Sequence, residues 1–299
     1  MSTSAHSFSN PAAFLVSEPR SMLFVPGDDR DKLAKIPSLI ADIIVVDLED
    51  AVAPHRKVVA RATVNESLAN LDRSVLSHVA IRVNPEDANT FEEDLRLCGE
   101  LGVRGVILPK LEDAEVVAAA RRFMAMIGRR DTIFFAGIES LEGVRSCFSL
   151  VTTGVSGAYF GAEDFVAELG GQRTDEGLEV LYARSQVVLA AKLAGVAAID
   201  QAVIAVHDLA RFRADASLGR ALGYTGKICL HPAQAHVSNE VFSPNPDEVA
   251  RAQRIIATSE TGVQLVDGEM VDGVHQRAAS RLLARNRQLT QDRDSPGCP

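Results

Sequence analysis

The sequence is poor in cysteine, and its four cysteines lie far apart. Cys98, Cys147, Cys229 and Cys298 form no Cys-x-x-Cys pair. This spacing excludes both a cysteine zinc site and a disulfide scaffold. We expect buried or idle thiols, as in a reducing cytoplasm, and therefore a cytoplasmic protein.

Long apolar runs and an excess of basic residues are also missing. No run approaches the roughly 18 apolar residues of a spanning helix, so no membrane partner is expected. The stretch Met1–Pro19 has neither a positively charged start nor an apolar core, which predicts a flexible segment and no secretory signal. Lys and Arg number 31 against 40 Asp and Glu, for a net charge of −9. Nucleic acid is therefore an unlikely partner in charge terms, because binding its phosphates requires clustered cations.

What the chain does have is a repeated alternation of short apolar runs with longer segments of helical period. Eight runs rich in Val, Ile and Phe predict parallel strands: Ser21–Val25, Ile43–Asp47, Val79–Val83, Gly105–Leu108, Ile133–Ile138, Gly157–Phe160, Ala198–Ile199 and Lys227–Leu230. The clearest helices are predicted over Arg56–Leu71, Ala88–Leu101, Glu112–Ile127 and Glu176–Leu193.

Eight strand–helix units favour a (β/α)8 barrel, although a doubly wound open sheet has the same local pattern. We predict a flexible segment over residues 1–19, a barrel over 20–260, and a C-terminal helical lid and tail over 261–299. Polar residues follow most of the strands: Glu49-Asp50, Arg82 and Asn84, Lys110, Glu139, Asp164, Asp200 and His231. Such residues predict a functional ring at the carboxyl end of the barrel, where these enzymes hold their sites.

Glu139 and Asp164 end consecutive strands and should meet across the barrel mouth. Two hard carboxylate ligands suit Mg²⁺, or Mn²⁺ in its place, because such ions keep several waters and leave positions for a substrate. Glu49 and Asp50 could orient metal-bound waters from behind. The competing interpretation is that these acids are solvated or cap helices.

Arg82 alternates with Ile81 and Val83, so it can point into the mouth and bind a substrate carboxylate or a developing enolate. Structural pairing with Glu49 or Asp50 is the alternative. Arg20 is a further candidate for substrate binding, although it precedes the first strand.

A local cluster of cations on this acidic chain could receive a polyphosphate. Our candidates are Arg30, Lys32 and Lys57.

Two other motifs are rejected because their positions in the sequence do not suit the sites that they resemble. The glycine-rich Gly223–Lys227 precedes a strand, unlike a phosphate loop, and His231 and His236 are five residues apart, which does not suit a zinc pair on one helix face.

In their order, several motifs resemble the citrate lyase beta-subunit-like family, a group within the HpcH/HpaI aldolase superfamily that includes malyl-coenzyme A lyases and thioesterases. The motifs are Arg20–Gly27, Asp47–Val52, Arg82–Asn84, Leu108–Lys110, Ile138–Ser140, Gly161–Asp164, Ala183–Ser185 and His231–Gln234. The resemblance implies a barrel that is usually trimeric, Mg²⁺ bound through Glu139 and Asp164, and contact of Arg82 with the acyl group. In relatives that act on malyl-coenzyme A, a lid aspartate enters a neighbouring subunit's site. Asp272 matches it, although Glu269 and Gly273-Val274 depart from the usual flanking residues.

The predicted reaction is Mg²⁺-dependent cleavage of a 3-hydroxyacyl-coenzyme A thioester, of malyl or citryl type, into an acyl-coenzyme A and a 2-oxo acid. In this scheme Glu139 helps to bind the substrate, Arg82 stabilises the enolate and Asp272 exchanges a proton with it. Alternatives are a thioesterase or malate synthase-like activity, a Schiff-base aldolase using Lys110, and a non-catalytic subunit of a larger assembly that binds an acyl carrier.

Overall fold

A computed structural model describes residues 18–258 and 262–294. Eight parallel strands close into a barrel in sequence order, with β1 paired to β8. The strands are β1 Ser21–Pro26, β2 Ile43–Asp47, β3 Val79–Arg82, β4 Gly105–Leu108, β5 Ile133–Ile138, β6 Gly157–Phe160, β7 Ala197–Asp200 and β8 Gly226–Cys229. The predicted barrel is confirmed, and the open sheet is excluded because the two edges pair.

Helices separate the strands and continue after β8. They are α1 Arg30–Leu33, α2 Lys57–Leu68, α3 Arg73–Leu76, α4 Ala88–Leu101, α5 Ala114–Met126, α6 Leu141–Leu150, α7 Ala162–Leu169, α8 Leu178–Ala194, α9 Leu209–Leu222, α10 Pro232–Val241, α11 Pro246–Ala257 and α12 Gly273–Asp294. Two short 3₁₀ helices, Ile36–Ser38 and Pro54–Arg56, lie in the loops after β1 and β2. Glycines at positive φ, among them Gly102 and Gly195, end α4 and α8 because they adopt this conformation without a Cβ clash.

The barrel interior is filled by side chains at alternate strand positions, including Met22, Val45, Ala80, Phe135 and Ile199. This alternation also fixes the direction of the polar residues that follow. Asp47 continues the inward series of β2, Arg82 that of β3, and Glu139 that of β5. The carboxyl end of the barrel is therefore lined by these three side chains.

Glycines on β5 and β6 make room for larger inward neighbours. A Cβ at Gly157 would lie 2.5 Å from the Phe135 ring, and one at Gly137 would lie 2.5 Å from the Tyr159 hydroxyl. A Cβ at Gly161 would lie 2.5 Å from the Glu139 Oε2 atom. Gly137 and Gly157 thus leave room for a bulky residue on the neighbouring strand, and Gly161, just after β6, leaves room for Glu139.

The described residues divide into two compact units, one within residues 18–239 and the other within residues 240–294. The domain boundary near residue 260 stays a prediction; within residues 240–294, α11 packs with α12. That unit also contains an unpredicted hairpin, β9 Gln264–Val266 and β10 Glu269–Val271. Asp267 and Gly268 both have positive φ, as a two-residue turn of this hairpin requires. The Asp-Gly pair was the local signal for it.

Two predicted segments fall partly outside the description. Of the predicted flexible segment 1–19, only Glu18 and Pro19 are described, and residues 295–299 of the predicted tail are not. In residues 18–258 and 262–294, none of the helices is both long enough and apolar enough to cross a membrane.

Candidate active site

A cavity of about 530 Å³ opens at the carboxyl ends of the strands and is strongly acidic. Its lining includes the predicted Glu49, Glu139 and Asp164, and Lys110 is the one basic side chain among the described residues that line it. Four further acids line it that the sequence did not single out: Glu86, Glu112, Asp113 and Glu168. The two predicted metal ligands therefore do share a cavity.

Glu139 is nearly buried, with 3% of its surface exposed. Its Oε1 atom accepts hydrogen bonds from the Tyr159 hydroxyl at 2.5 Å and from the Lys110 backbone N–H at 3.1 Å. Among the described residues, none donates to Oε2. Burial raises the pKa of Glu139, against the opposing charge of Arg82, and the nearby Asp164 raises it further. A carboxylate in this setting is stabilised by a cation at its free oxygen.

Asp164 lies in the first turn of α7, just after β6, and is half-buried. Two carboxylates with an accessible oxygen fit Mg²⁺, which takes oxygen ligands and is often held by only one or two protein carboxylates. Across the described ranges, no group of three His, Cys, Asp or Glu side chains is arranged to hold a metal. The donor set thus suits a hydrated Mg²⁺ or Mn²⁺ and does not suit zinc.

Arg82 lies inside the barrel mouth, as predicted, but its main partner is Asp47. The Arg82 Nε and Nη2 atoms donate to the two Asp47 oxygens at 2.8 and 2.6 Å. Asp47 also accepts the backbone N–H groups of Glu49 and Ala51. Its four hydrogen bonds hold the guanidinium over the Phe24 ring, 5.0 Å from the ring centroid. Asp47 belongs to one of the family motifs, but no role was predicted for it. Its inward-facing position in the alternation of β2 was the signal that would have identified it as the partner of Arg82.

Glu49 and Asp50 contact Lys110 as well as Arg82, and the Lys110 ammonium bridges the two carboxylates. Arg82 Nη1 is 3.1 Å from Glu49, and the Lys110 ammonium lies 2.5 Å from Glu49 and 3.1 Å from Asp50. Burial raises the pKa of Glu49 to about 7, although Arg82 and Lys110 oppose this shift. Burial would lower the pKa of Lys110, but its bonds and charge contacts with Glu49 and Asp50 raise it above the usual value.

A second cavity, of about 550 Å³, adjoins Arg82 on the side of β1 and β8. It is lined by Phe24, Asp47, Asp50, Leu39 and His231 among others, and by the cations Lys32 and Lys35. Its walls are more apolar than those of the acidic cavity. A ligand with an apolar arm and a phosphate group matches this combination.

The three cations predicted to bind phosphate are differently placed. Lys32 lines the second cavity and pairs with Asp29 at 3.0 Å. Arg30 pairs with Glu66 in solvent. The Lys57 ammonium donates to the Leu48 and Glu49 carbonyls at 2.7 and 2.6 Å, so it holds the loop after β2. Lys35, which was not among the three, also lines this cavity, and no described residue pairs with its ammonium group.

Arg20 lies apart from this site. It precedes β1 and makes a two-pronged bond to Asp42, which precedes β2, at 2.8 and 2.7 Å. Both residues are at the amino ends of their strands. The structure therefore brings Arg82 and Glu139 to the barrel mouth and leaves Arg20 at the opposite end.

Asp200, expected in the polar ring, is also elsewhere. Ile199 occupies the inward position of β7, so Asp200 points outward and is fully buried. It accepts from Arg184 of α8 at 2.8 and 2.6 Å and from Lys227 of β8 at 2.8 Å, and Asp215 of α9 completes the cluster. This prediction was wrong because the strand alternation turns Asp200 toward the helices.

Asp272 belongs to the second unit and caps α12. Its Oδ1 atom accepts the Val274 N–H at 2.9 Å and lies 2.8 Å from His275 Nδ1. The hydrogen bond with His275 lowers the pKa of Asp272, so the group is a carboxylate at neutral pH. No described donor contacts Oδ2, which leaves that oxygen available for chemistry.

Three relatives are similar to this chain over most of its length. A citrate lyase subunit beta-like protein of Deinococcus radiodurans is 42% identical over 279 residues, covering 89% of this chain and 96% of the relative. A (3S)-malyl-CoA thioesterase of Cereibacter sphaeroides is 31% identical and covers 92% and 97% of the two chains. The mitochondrial citramalyl-CoA lyase of Homo sapiens is 34% identical and covers 83% and 78%.

The structure also resembles the crystal structure of protein CitE from Mycobacterium tuberculosis in complex with magnesium, acetoacetate and coenzyme A. The TM-score is 0.76 at 28% identity, over 90% of this chain and 98% of that chain. The family model described as HpcH/HpaI aldolase/citrate lyase matches residues 20–232, which span the whole barrel. The chain belongs to the HpcH/HpaI aldolase/citrate lyase family.

Proposed function

We propose that this protein cleaves a 3-hydroxyacyl-coenzyme A thioester of malyl or citryl type, with Mg²⁺ or Mn²⁺, into an acyl-coenzyme A and a 2-oxo acid. The enzyme class, a lyase related to citrate lyase beta subunits, is as predicted. The finer proposal depends on one observation. The buried Glu139 shares an acidic cavity with Asp164, and Arg82 lines a second cavity that suits a thioester arm and contacts Glu49 of the first.

In this proposal Glu139 and Asp164 hold the ion, and the rest of the acidic cavity receives the oxo-acid end of the substrate. When bound, the ion would act as a Lewis acid on the substrate hydroxyl and carboxylate oxygens. The acids around it, such as Glu86 and Glu168, would repel an anionic substrate in the absence of the ion. Binding of the oxo-acid end should therefore depend on the metal.

Arg82 is suited to stabilise the thioester oxygen as enolate charge develops. Asp47 fixes its guanidinium before the substrate arrives, so little reorganisation is needed during the reaction. Its Nη1 atom lies 3.1 Å from Glu49, which lines the acidic cavity, while the guanidinium lines the second cavity. A pre-oriented donor is most effective where negative charge appears only in the transition state.

The coenzyme A arm would lie in the second cavity. Leu39 and Phe24 offer apolar surface, and Lys32 and Lys35 offer two ammonium groups at its rim. Of the predicted phosphate ligands, Lys32 is retained in this proposal, joined by Lys35. Lys57 acts indirectly, by holding the backbone that carries Glu49.

Asp272 would exchange the proton with the acyl carbon. In the condensing direction it would accept the proton, which it can do because it is ionised at neutral pH. We further propose that it acts on a neighbouring subunit in a homotrimer, as the family resemblance implies. A closed cyclic assembly lets each C-terminal unit serve the next barrel.

Hydrolysis of the thioester is the second candidate, favoured by the similarity to the Cereibacter sphaeroides thioesterase. A Schiff-base aldolase is disfavoured, because the Lys110 ammonium is held by two carboxylates and its pKa is raised, whereas an imine-forming lysine must lose its proton. An inert scaffold is disfavoured by the pre-oriented Arg82 and by the free oxygen of Glu139.

The test is to incubate the purified chain with malyl-coenzyme A or citramalyl-coenzyme A and Mg²⁺, and to measure oxo acid and free thiol separately. Cleavage of the carbon–carbon bond yields oxo acid and no free thiol, while hydrolysis yields thiol. A chelator should abolish either activity, and borohydride should trap no adduct. Release of thiol with no oxo acid would replace the lyase assignment by the thioesterase one.

A further inference from the structure

Tyr159 contacts Glu139 but has no role in the reaction described so far. It lies on β6, beside Gly137 of β5 in the strand pairing, and only 1% of its surface is exposed. Its ring packs edge to face against Phe24, with centroids 6.3 Å apart. Its hydroxyl extends toward the mouth and donates to Glu139 Oε1 at 2.5 Å. The contact is direct, short and shielded from solvent.

This hydroxyl occupies a place built for it. A side chain at Gly137 would collide with the Tyr159 hydroxyl and with the Glu139 carboxylate, so that glycine is required for their contact. On the other side, a Cβ at Gly161 would lie 2.5 Å from Glu139 Oε2. The carboxylate therefore sits in a slot between two glycines, and its rotation is limited by the groups that bond to it.

A second donor, the backbone N–H of Lys110, acts on the same oxygen. Lys110 follows β4, which lies on the other side of β5 from Tyr159. Lys110 has φ of +46°, a conformation that residues other than glycine seldom adopt, and its backbone N–H is 3.1 Å from Glu139 Oε1. Both protein donors thus bind Oε1, and none of the described donors binds Oε2. Because the terminal torsion of a glutamate is broad, such donors hold the plane of the carboxylate in one orientation and leave its second oxygen for another partner.

We infer that Tyr159 is a positioning residue for the metal site, whose hydroxyl fixes the Glu139 carboxylate so that Oε2 faces the ion. The inference rests on the proposed function, which assigns Glu139 as a ligand. Groups that orient metal ligands through hydrogen bonds typically change metal affinity by about 10–100-fold when removed. Tyr159→Phe deletes only the hydroxyl and keeps the ring that packs on Phe24.

The experiment measures Mn²⁺ binding to the metal-free full chain by electron paramagnetic resonance, with thermal unfolding of the metal-free protein alongside. We expect Tyr159→Phe to weaken Mn²⁺ about 10-fold, with a smaller rise in melting temperature on adding Mn²⁺. Two tyrosines provide matched controls. Tyr224→Phe removes a buried hydroxyl that donates to the Arg184 carbonyl, and Tyr182→Phe alters a side chain that is 79% exposed. Both should bind Mn²⁺ as the wild type does.

Glu139→Gln separates the inference from the proposed function. If the wild type fails to bind Mn²⁺, or Glu139→Gln binds it equally well, the metal assignment is wrong. If the wild type binds, Glu139→Gln does not, and Tyr159→Phe binds like the Tyr224→Phe control, only the role of Tyr159 is overturned.

A measurement on the wild-type sequence covers the case in which Tyr159→Phe does not fold. The chain has three tyrosines, so 3-fluorotyrosine labelling gives three ¹⁹F resonances, which Tyr182→Phe and Tyr224→Phe assign by elimination. Adding Mg²⁺ should shift the Tyr159 resonance and leave the other two in place. Saturating Mg²⁺ that leaves the Tyr159 resonance unmoved would refute the coupling.

Discussion

The buried charge cluster behind β7 and β8 leads to a prediction about stability. Arg184 is 1% exposed and donates to both oxygens of Asp200 and to Asp215, while Lys227 pairs with the same two acids. Arg184→Met removes one of two cations and leaves the buried Asp200 and the partly buried Asp215 sharing a single lysine. Methionine fills much of the same space, so the loss is mainly one of charge and hydrogen bonding.

The expected magnitude follows from burial. Removing one partner of a buried ion pair costs about 3–5 kcal/mol, because the remaining charge stays desolvated. At roughly 2–4 °C per kcal/mol, the melting temperature should fall by roughly 6–20 °C. The matched control is Arg145→Met, whose guanidinium also forms a two-pronged bond, to Glu142, but is 76% exposed. Its loss should hardly change the melting temperature, because water replaces the pair.

Thermal unfolding by circular dichroism, at fixed protein concentration, would compare the two variants. Because the cluster lies outside the barrel interior, kcat of folded Arg184→Met at low temperature should match the wild type. A charge-balanced variant, Arg184→Met with Asp200→Leu, should recover part of the lost stability. Equal melting temperatures for Arg184→Met and Arg145→Met would refute the reasoning. A large loss of kcat without destabilisation would show that the cluster belongs to the active site after all.

Three predictions concern the site. Asp164→Ala should abolish Mg²⁺-dependent activity. It should leave the melting temperature nearly unchanged, since it relieves repulsion in the acidic cavity. Full activity of this variant in the presence of a chelator would contradict the metal assignment. Arg82→Lys should lower kcat more than it raises KM, because one ammonium cannot both bind Asp47 in two places and reach the substrate. Steady-state kinetics in which only KM changes would make Arg82 a binding residue. Asp272→Asn should keep the α12 cap but lose activity. Mixing it with inactive Glu139→Gln subunits should restore part of the activity. Mixed oligomers that form but stay inactive would exclude action between subunits.

The sequence predicted the barrel and the main site residues because each depends on a local pattern. Apolar runs of strand length located all eight strands to within about a residue, and the polar residues after them marked the carboxyl end of the barrel. Glu139, Asp164 and Arg82 follow or end their strands, so their placement at the mouth needs only the strand positions and the parallel direction. The hairpin in the second unit was locally encoded too, by Asp267-Gly268, and was overlooked.

Other features were decided by the tertiary structure, because they depend on which strand and which face a residue meets. A shift of one residue turned Asp200 away from the mouth and into a buried cluster with Arg184. The pairing of β2 with β3 aligns Asp47 with Arg82, so the main partner of Arg82 is Asp47 and not Asp50. The contact of Tyr159 with Glu139 needs two glycine gaps and a neighbouring strand in register. No periodicity along the chain records such a contact, because the packing of adjacent strands creates it.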